Sequence, residues 1–256
     1  MVTMNYFASR SAAARYAQGR PYFHAQVVRR IKDRLALAAP VPQAIDVGCG
    51  TGLSTVALTE IATRVVGVDS AAAMVTLAPS DARITYLVAP AERLPVEDGC
   101  FDLMTVSSAL HWIDADPFFA EARRVLRPGA PLVVYDNSFT GRMRGNAAFE
   151  RWQRDVYLVT YPSPPRAHVA FDEETCAQRG FRLLDHERYH NIVAFSPATL
   201  IDYLTTQSNV IAAVEDGRQG IDDARRWLLS SVEQFFGGRR EAHFDFGGPI
   251  WYLAKM

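Results

Sequence analysis

The sequence predicts a doubly wound α/β fold around a mostly parallel sheet, and three observations carry that expectation. Short β-rich runs alternate with helical patterns from about residue 44 to 136, a glycine-rich turn joins the first run to a helix, and an acid closes the next run. The strand candidates are AIDVG, RVVGVD, ITYLV, FDLMTVSS and APLVVYDN. Between them fall helical patterns at Leu53 to Ile61, Ala71 to Ala78 and Pro117 to Leu126, the last opening on Pro117 after Asp116.

Outside this core the patterns are looser. Residues 1–40 form an arm whose second half, FHAQVVRRIKDRLAL, has the apolar period of an amphipathic helix expected to pack on the sheet. After Asn137 the pattern is irregular, with a break at Pro162, Pro164 and Pro165, and FRLLDHERYHNIVAF then restores strand character. A helical stretch covers about residues 197–236, and HFDFGGPIWYLAKM closes as a strand interrupted by GGP. With those two late strands the sheet is expected to hold seven. The expected organisation is one domain: an N-terminal helical arm at 1–40, a ligand-binding core at 41–136, and lid insertions with closing strands at 137–256.

Composition excludes several classes. The chain has 256 residues, 49% of them apolar, with 27 basic against 28 acidic side chains, so no overall field attracts nucleic acid or an acidic membrane. No apolar run approaches the ~18 residues of a membrane helix, and MVTMNYFASRS lacks a secretory pattern. A cytoplasmic location is therefore expected. Cys49, Cys100 and Cys176 lie far apart, which suits reduced thiols.

The chemistry concentrates in AIDVGCGTGLST, where Asp46, Gly48, Gly50 and Gly52 join a strand to a helix. Glycines there allow a sharp turn and close approach of a ligand, and the helix start is expected to offer free amides. Asp69, 19 residues after Gly50, ends the next strand, where a carboxylate can accept from both hydroxyls of a ribose. Together they imply a nucleoside-like ligand. A nicotinamide dinucleotide fold shares these features, but Leu53 replaces its third glycine, and Asp46 would repel a pyrophosphate while favouring an ammonium or sulfonium.

AIDVGCGTG, VVGVDSAAAM, APAERLPVEDGCFDLMTVSSALHW and EARRVLRPGAPLVVYDN resemble successive motifs of the class I S-adenosylmethionine-dependent methyltransferases. They are similar in particular to the branch that includes trans-aconitate methyltransferases. The resemblance implies a Rossmann-like methyltransferase fold and S-adenosyl-L-methionine as cofactor. It implies that Gly48, Gly50 and Gly52 line the methionine portion, that Asp46 braces the loop, that Asp69 holds the ribose, and that Ser70 is a further cofactor-binding residue. Met74 is implied against the adenine, Ala91 and Glu92 at its edge, and the Ser107 carbonyl on the methionine ammonium. Pro90 departs from the family, in which an acid often reads the adenine amino group. YFASRSAAARYAQGRPYF resembles the family's lid, which implies that Tyr16 and Arg20 approach cofactor or acceptor.

The acceptor is expected beyond the strand ends, where SSALHWID leaves the fourth strand. His111 is the catalytic candidate, taking or sharing the proton of a hydroxyl or donating a hydrogen bond to a carboxylate, and Trp112 and Arg142 are the substrate-binding candidates. The expected partner is a small-molecule acceptor, with no nucleic acid or membrane, and the sequence does not fix an oligomeric state. HERYH, His186 to His190, matches a zinc-protease pattern that requires a helix, but its surroundings read as strand, so no metal site is expected. The alternatives are a non-catalytic S-adenosylmethionine-binding regulatory protein and an NAD-dependent oxidoreductase.

Overall fold

The computed structural model describes residues 6–256; the opening of the expected arm, residues 1–5, lies outside the described residues. Helices α1 (Arg10–Gly19) and α2 (His24–Arg34) precede the sheet. Then come β1 (Val41–Val47), α3 (Leu53–Leu58), β2 (Ala62–Asp69), α4 (Ala72–Val75), β3 (Ile84–Val88), β4 (Leu103–Ser107), α5 (Ala115–Val125) and β5 (Pro131–Tyr135). Next are β6 (Ser138–Met143), α6 (Ala147–Trp152), a π-helical turn Gln153–Tyr157, α7 (Leu158–Thr160), α8 (Glu173–Gln178) and β7 (Phe181–Phe195). Helices α9 (Pro197–Leu204), α10 (Ser208–Glu215) and α11 (Ile221–Phe236) lead to β8 (Ala242–Lys255).

The strand order is β3-β2-β1-β4-β5-β8-β6, with β7 beside β8. Pairs among β1 to β5 are parallel, while β8 runs antiparallel to β5 and β6. This is a mixed α/β, doubly wound, Rossmann-like fold, with eight strands because β6 arises in the stretch that reads as irregular. Strands β1 and β4 are buried along Ala44–Val47 and Leu103–Val106. Parallel strands covered on both faces read as near-continuous apolar runs, which makes them visible in sequence.

The chain forms two compact units. The larger comprises Tyr22–Asn137, Arg166–Tyr189 and Gly248–Met256, and the smaller the chain up to Pro21, Ser138–Pro165 and His190–Gly247. In the larger unit Val27, Val28 and Ile31 of α2 pack with Ala44, Ala57, Leu58 and Val65, so the amphipathic helix covers the sheet as expected. On α5, Phe118, Phe119, Ala122 and Val125 are buried with Met104 and Leu132. The smaller unit has an aromatic core in which Phe149, Trp152, Tyr157, Tyr161, Tyr203 and Phe244 pack together.

Three expectations are corrected. Helix α5 starts at Ala115, two residues early, so Pro117 lies inside its first turn, where the absent N–H has no intrahelical partner to lose. Helix α4 is confined to Ala72–Val75, stopping short of Pro79. Strand β8 runs without interruption, because Gly247 ends its pairing with β6 and Ile250 begins its pairing with β5, so Pro249 falls at the hand-over where no ladder donor is required.

Candidate active site

Three left-handed glycines shape the loop after β1: Gly48, Gly50 and Gly52 have φ of +71°, +54° and +82°. A Cβ on Gly48 would overlap the Ala109 methyl, and one on Gly52 the Tyr86 hydroxyl, so those two are also required by packing. The amides of the bend itself are spent within the protein. The N–H groups of Gly48 and Cys49 donate to Val68 O at 2.8 and 3.1 Å, that of Gly52 to Cys49 O at 2.9 Å, and that of Gly50 to Asp69 Oδ2 at 2.8 Å. The bend is thus bound to β2 and to itself, leaving these four donors unavailable to a phosphate.

Asp69 faces the loop. Its Oδ1 accepts from Ala71 N at 2.8 Å, so its two oxygens take one amide each and a carboxylate's further lone pairs stay available. Burial raises its pKa, opposed by the Ala71 and Gly50 hydrogen bonds. Asp46, fully buried beneath, accepts from Ser54 Oγ at 2.6 Å, Thr55 Oγ1 at 2.7 Å and Thr105 Oγ1 at 2.8 Å. It therefore ties β1 to α3 and β4 instead of touching loop amides, and its enclosure removes it from direct ligand contact. Burial raises its pKa, three hydroxyls pull it back, and the Asp69 charge adds to the rise. Two carboxylates under one bend make a local field that favours cations.

The Ala89 amide donates to Asp69 O at 3.1 Å, bringing the turn through Pro90, Ala91 and Glu92 beside Asp69. Met74 of α4 is buried, while Ser70 is exposed. Glu92 Oε1 accepts from Asp114 N at 2.9 Å, fastening this turn to the start of α5. Ser107 ends β4, and Ser108 follows at φ +51°, a left-handed non-glycine residue. The Ser108 amide donates to Tyr135 O at 2.9 Å, and its hydroxyl accepts from Asn137 N at 3.3 Å.

His111 and Trp112 occupy the 3₁₀ turn Leu110–Trp112 just past β4, half-buried, with ring centroids 4.9 Å apart. Sequence reasoning missed two polar residues at the end of β5. Asp136 directly follows β5, much as Asp69 closes β2, and that strand-end position was the available signal. His24 of α2 is buried, with Nδ1 3.0 Å from Tyr135 Oη; nothing in a basic amphipathic helix marks its histidine as turned inward.

Tyr16, Arg20 and Arg142 belong to the smaller unit. The Arg20 guanidinium lies 4.6 Å from the Tyr16 ring and 5.5 Å from that of Tyr203, and its Nη2 donates to Thr206 O at 2.9 Å. Arg142 is exposed and pairs with Glu150 at 3.2 Å, and Arg144 pairs with Asp245 at 2.6 Å. His186 and His190 lie on the exposed face of β7, whereas Glu187 lies on the other face and accepts from Tyr252 Oη at 2.8 Å. The helical geometry of a zinc protease is absent there, and no metal-holding group of His, Cys, Asp or Glu exists among the described residues. No helix among them is long and apolar enough to cross a membrane.

Sheet order and the braced glycine bend define a protein of the class I, Rossmann-like methyltransferase type. The methyltransferase-domain family model matches residues 45–134. The chain is 30% identical over 192 residues to a malonyl-[acyl-carrier protein] O-methyltransferase of Geobacter sulfurreducens, covering 65% of this chain and 69% of that one. It is 29% identical over 225 residues to an uncharacterized methyltransferase of Mycobacterium tuberculosis, covering 86% and 85%. A solved structure from Anaeromyxobacter dehalogenans, assigned to the type II methyltransferases, superposes with a TM-score of 0.68 at 26% identity over 92% of this chain and 97% of that one. The chain belongs to the methyltransferase family.

Proposed function

We propose that the protein is an S-adenosylmethionine-dependent methyltransferase acting on a small-molecule acceptor. One observation carries this reading: Gly48, Cys49, Gly50 and Gly52 spend their amides within the protein, and the carboxyl groups of Asp46 and Asp69, accepting from three hydroxyls and two amides, lie at the bend. A pyrophosphate needs free donors and would meet like charge, whereas a nucleoside bearing a sulfonium and an ammonium meets a complementary field. The same observation weighs against the dinucleotide alternative. The donor set fits the cofactor, since Asp69 keeps acceptor capacity for the ribose while the bend is held rigid.

In this reading Asp69, with Ser70 beside it, holds the ribose, and Met74, Ala91 and Glu92 surround the adenine. The glycine bend and the Ser107 carbonyl receive the methionine end. When bound, S-adenosylmethionine supplies an already activated methyl group. The protein's own task is alignment and exclusion of water. Asp46 keeps β1, α3 and β4 in register beneath the bend, and His111 with Trp112 positions the acceptor, His111 taking or sharing its proton. Tyr16 and Arg20 act as lid residues. The motifs resemble the trans-aconitate branch, whose carboxylate acceptor would call on Arg142; its surface pairing with Glu150 leaves that residue engaged elsewhere.

The test is a split between binding and turnover. Asp69→Asn weakens S-adenosylhomocysteine by about 30- to 150-fold, the worth of hydrogen bonds to a charged group. His111→Ala lowers methyl transfer about 100-fold or more and leaves that affinity within a few-fold. Unchanged affinity in the Asp69 variant refutes the reading, and unchanged turnover in the His111 variant removes it from the mechanism.

A further inference from the structure

Among the described residues two that are not glycine take a left-handed backbone, Ala36 at φ +49° and Ser108 at φ +51°. Ala36 follows the last turn of α2, where left-handed residues commonly end helices. Ser108 ends no helix: it stands between β4 and the turn that carries His111 and Trp112. Three strands of the larger unit hold it there. The Ser108 N–H donates to Tyr135 O on β5 at 2.9 Å, and the Ser108 hydroxyl accepts from Asn137 N at 3.3 Å. Asn137 is buried, and its Oδ1 lies 3.2 Å from the Tyr189 hydroxyl of β7, which also donates to Asp136 O at 3.0 Å. The Asp136 N–H donates to Pro249 O on β8 at 3.2 Å, and a Cβ on Gly248 would overlap the Asp136 carbonyl.

This conformation shapes the surroundings of the glycine bend in two ways. A planar trans peptide points its C=O opposite to its N–H, so aiming the Ser108 N–H at β5 turns the Ser107 carbonyl to the β1 side. There the pairing of β1 with β4 has ended at Val47 and Val106, and the amides of Gly48, Cys49, Gly50 and Gly52 all go to other acceptors. The Ser107 carbonyl therefore receives no bond from any of those four, and a backbone acceptor so left suits a cationic N–H donor. The left-handed step also brings Ala109 onto Gly48, where its methyl fills the place a Cβ would take.

We propose that Ser108 is a positioning residue for the methyl donor: its strained backbone, clamped by Asn137 and braced by Tyr189, aims the Ser107 carbonyl at the ammonium of the methionine end and seats Ala109 on Gly48. The assignment rests on the methyltransferase reading above. Strain of this kind persists only where the surroundings over-determine it, and here Tyr135, Asn137 and Tyr189 do so. Relaxation of Ser108 to a right-handed or extended backbone would turn the Ser107–Ser108 peptide and withdraw that acceptor. Asp69, on β2, would keep its hold on the nucleoside end.

The experiment is calorimetric titration of S-adenosylhomocysteine beside methylthioadenosine, which keeps the nucleoside and lacks the amino-acid end. Ser108→Gly and Ser108→Ala, which both lose the hydroxyl, are expected to bind S-adenosylhomocysteine about tenfold or more weakly than wild type, and methylthioadenosine within about threefold of it. Tyr189→Phe, which removes the brace on Asn137, is expected to show the same split at about threefold or more, and it decides alone if the Ser108 variants fail to fold. Thermal unfolding should place Ser108→Gly above Ser108→Ala, the reverse of the usual order, because glycine carries no Cβ penalty at positive φ. Equal losses for the two ligands, unchanged affinity for S-adenosylhomocysteine, or Ser108→Ala unfolding at or above Ser108→Gly overturns the proposal. Wild type that binds neither ligand overturns the methyl-donor reading itself, and this assignment with it.

Discussion

His24 shows how burial alone changes a residue's chemistry. It sits 3.0 Å from the Tyr135 hydroxyl among apolar groups, and desolvation lowers its pKa to about 3. Between that value and the ordinary ~6.5 the unfolded chain binds the extra proton. Its contribution to stability is therefore complete above pH 6.5 and is lost as pH falls toward 3. Urea unfolding from pH 6 to 4 should show the advantage of wild type over His24→Gln shrinking by about 1.4 kcal/mol per pH unit. A constant difference would mean that His24 is protonated in the fold. At this scale Asp69 was legible because its offset from the glycine bend has a physical meaning. His24 and Asp136 were not, since which polar group is enclosed depends on elements far apart in the chain, here α2 with β5 and β5 with β7. The hydrogen bonds of the bend were hidden for the same reason: Val68 O and the Asp69 carboxylate, which accept from Gly48, Cys49 and Gly50, lie on β2.

At the scale of elements, the five parallel strands were readable from their continuous apolar runs, and α2 from its period. The segment SFTGRM of β6 has no such pattern; it becomes a strand because β8 presents it with a partner at Gly247 and Phe246. Helix α8 did carry a signal, since Asp172 caps it by accepting from Thr175 N at 2.8 Å. The GGP of β8 reads as a break only when its neighbours are unknown. Gly248 admits no side chain because the Asp136 carbonyl fills the space, so Gly248→Ala should lower the urea midpoint by the equivalent of about 1–3 kcal/mol with an unchanged slope. A neutral substitution would show that β8 and the Asp136 turn are not held in that contact.

For the whole molecule, near-balanced charge and ordinary apolar content placed the chain among globular proteins without saying how its pieces group. The smaller unit draws on three separated stretches, and the larger on three others. Such grouping is decided by contacts such as that of Phe149 with Phe244 and by clusters such as the one that holds Ile45, Met104 and Leu132, which no local pattern announces. The functional reading at this scale is one of charge: a braced bend with two carboxylates and no amides to spare from the four that are accounted for. Titrating the wild-type protein in parallel with S-adenosylhomocysteine and NADH tests this most directly. Saturable binding of S-adenosylhomocysteine, at least 100-fold tighter than any binding of NADH, is the predicted result, and the reverse order of affinity would contradict the account.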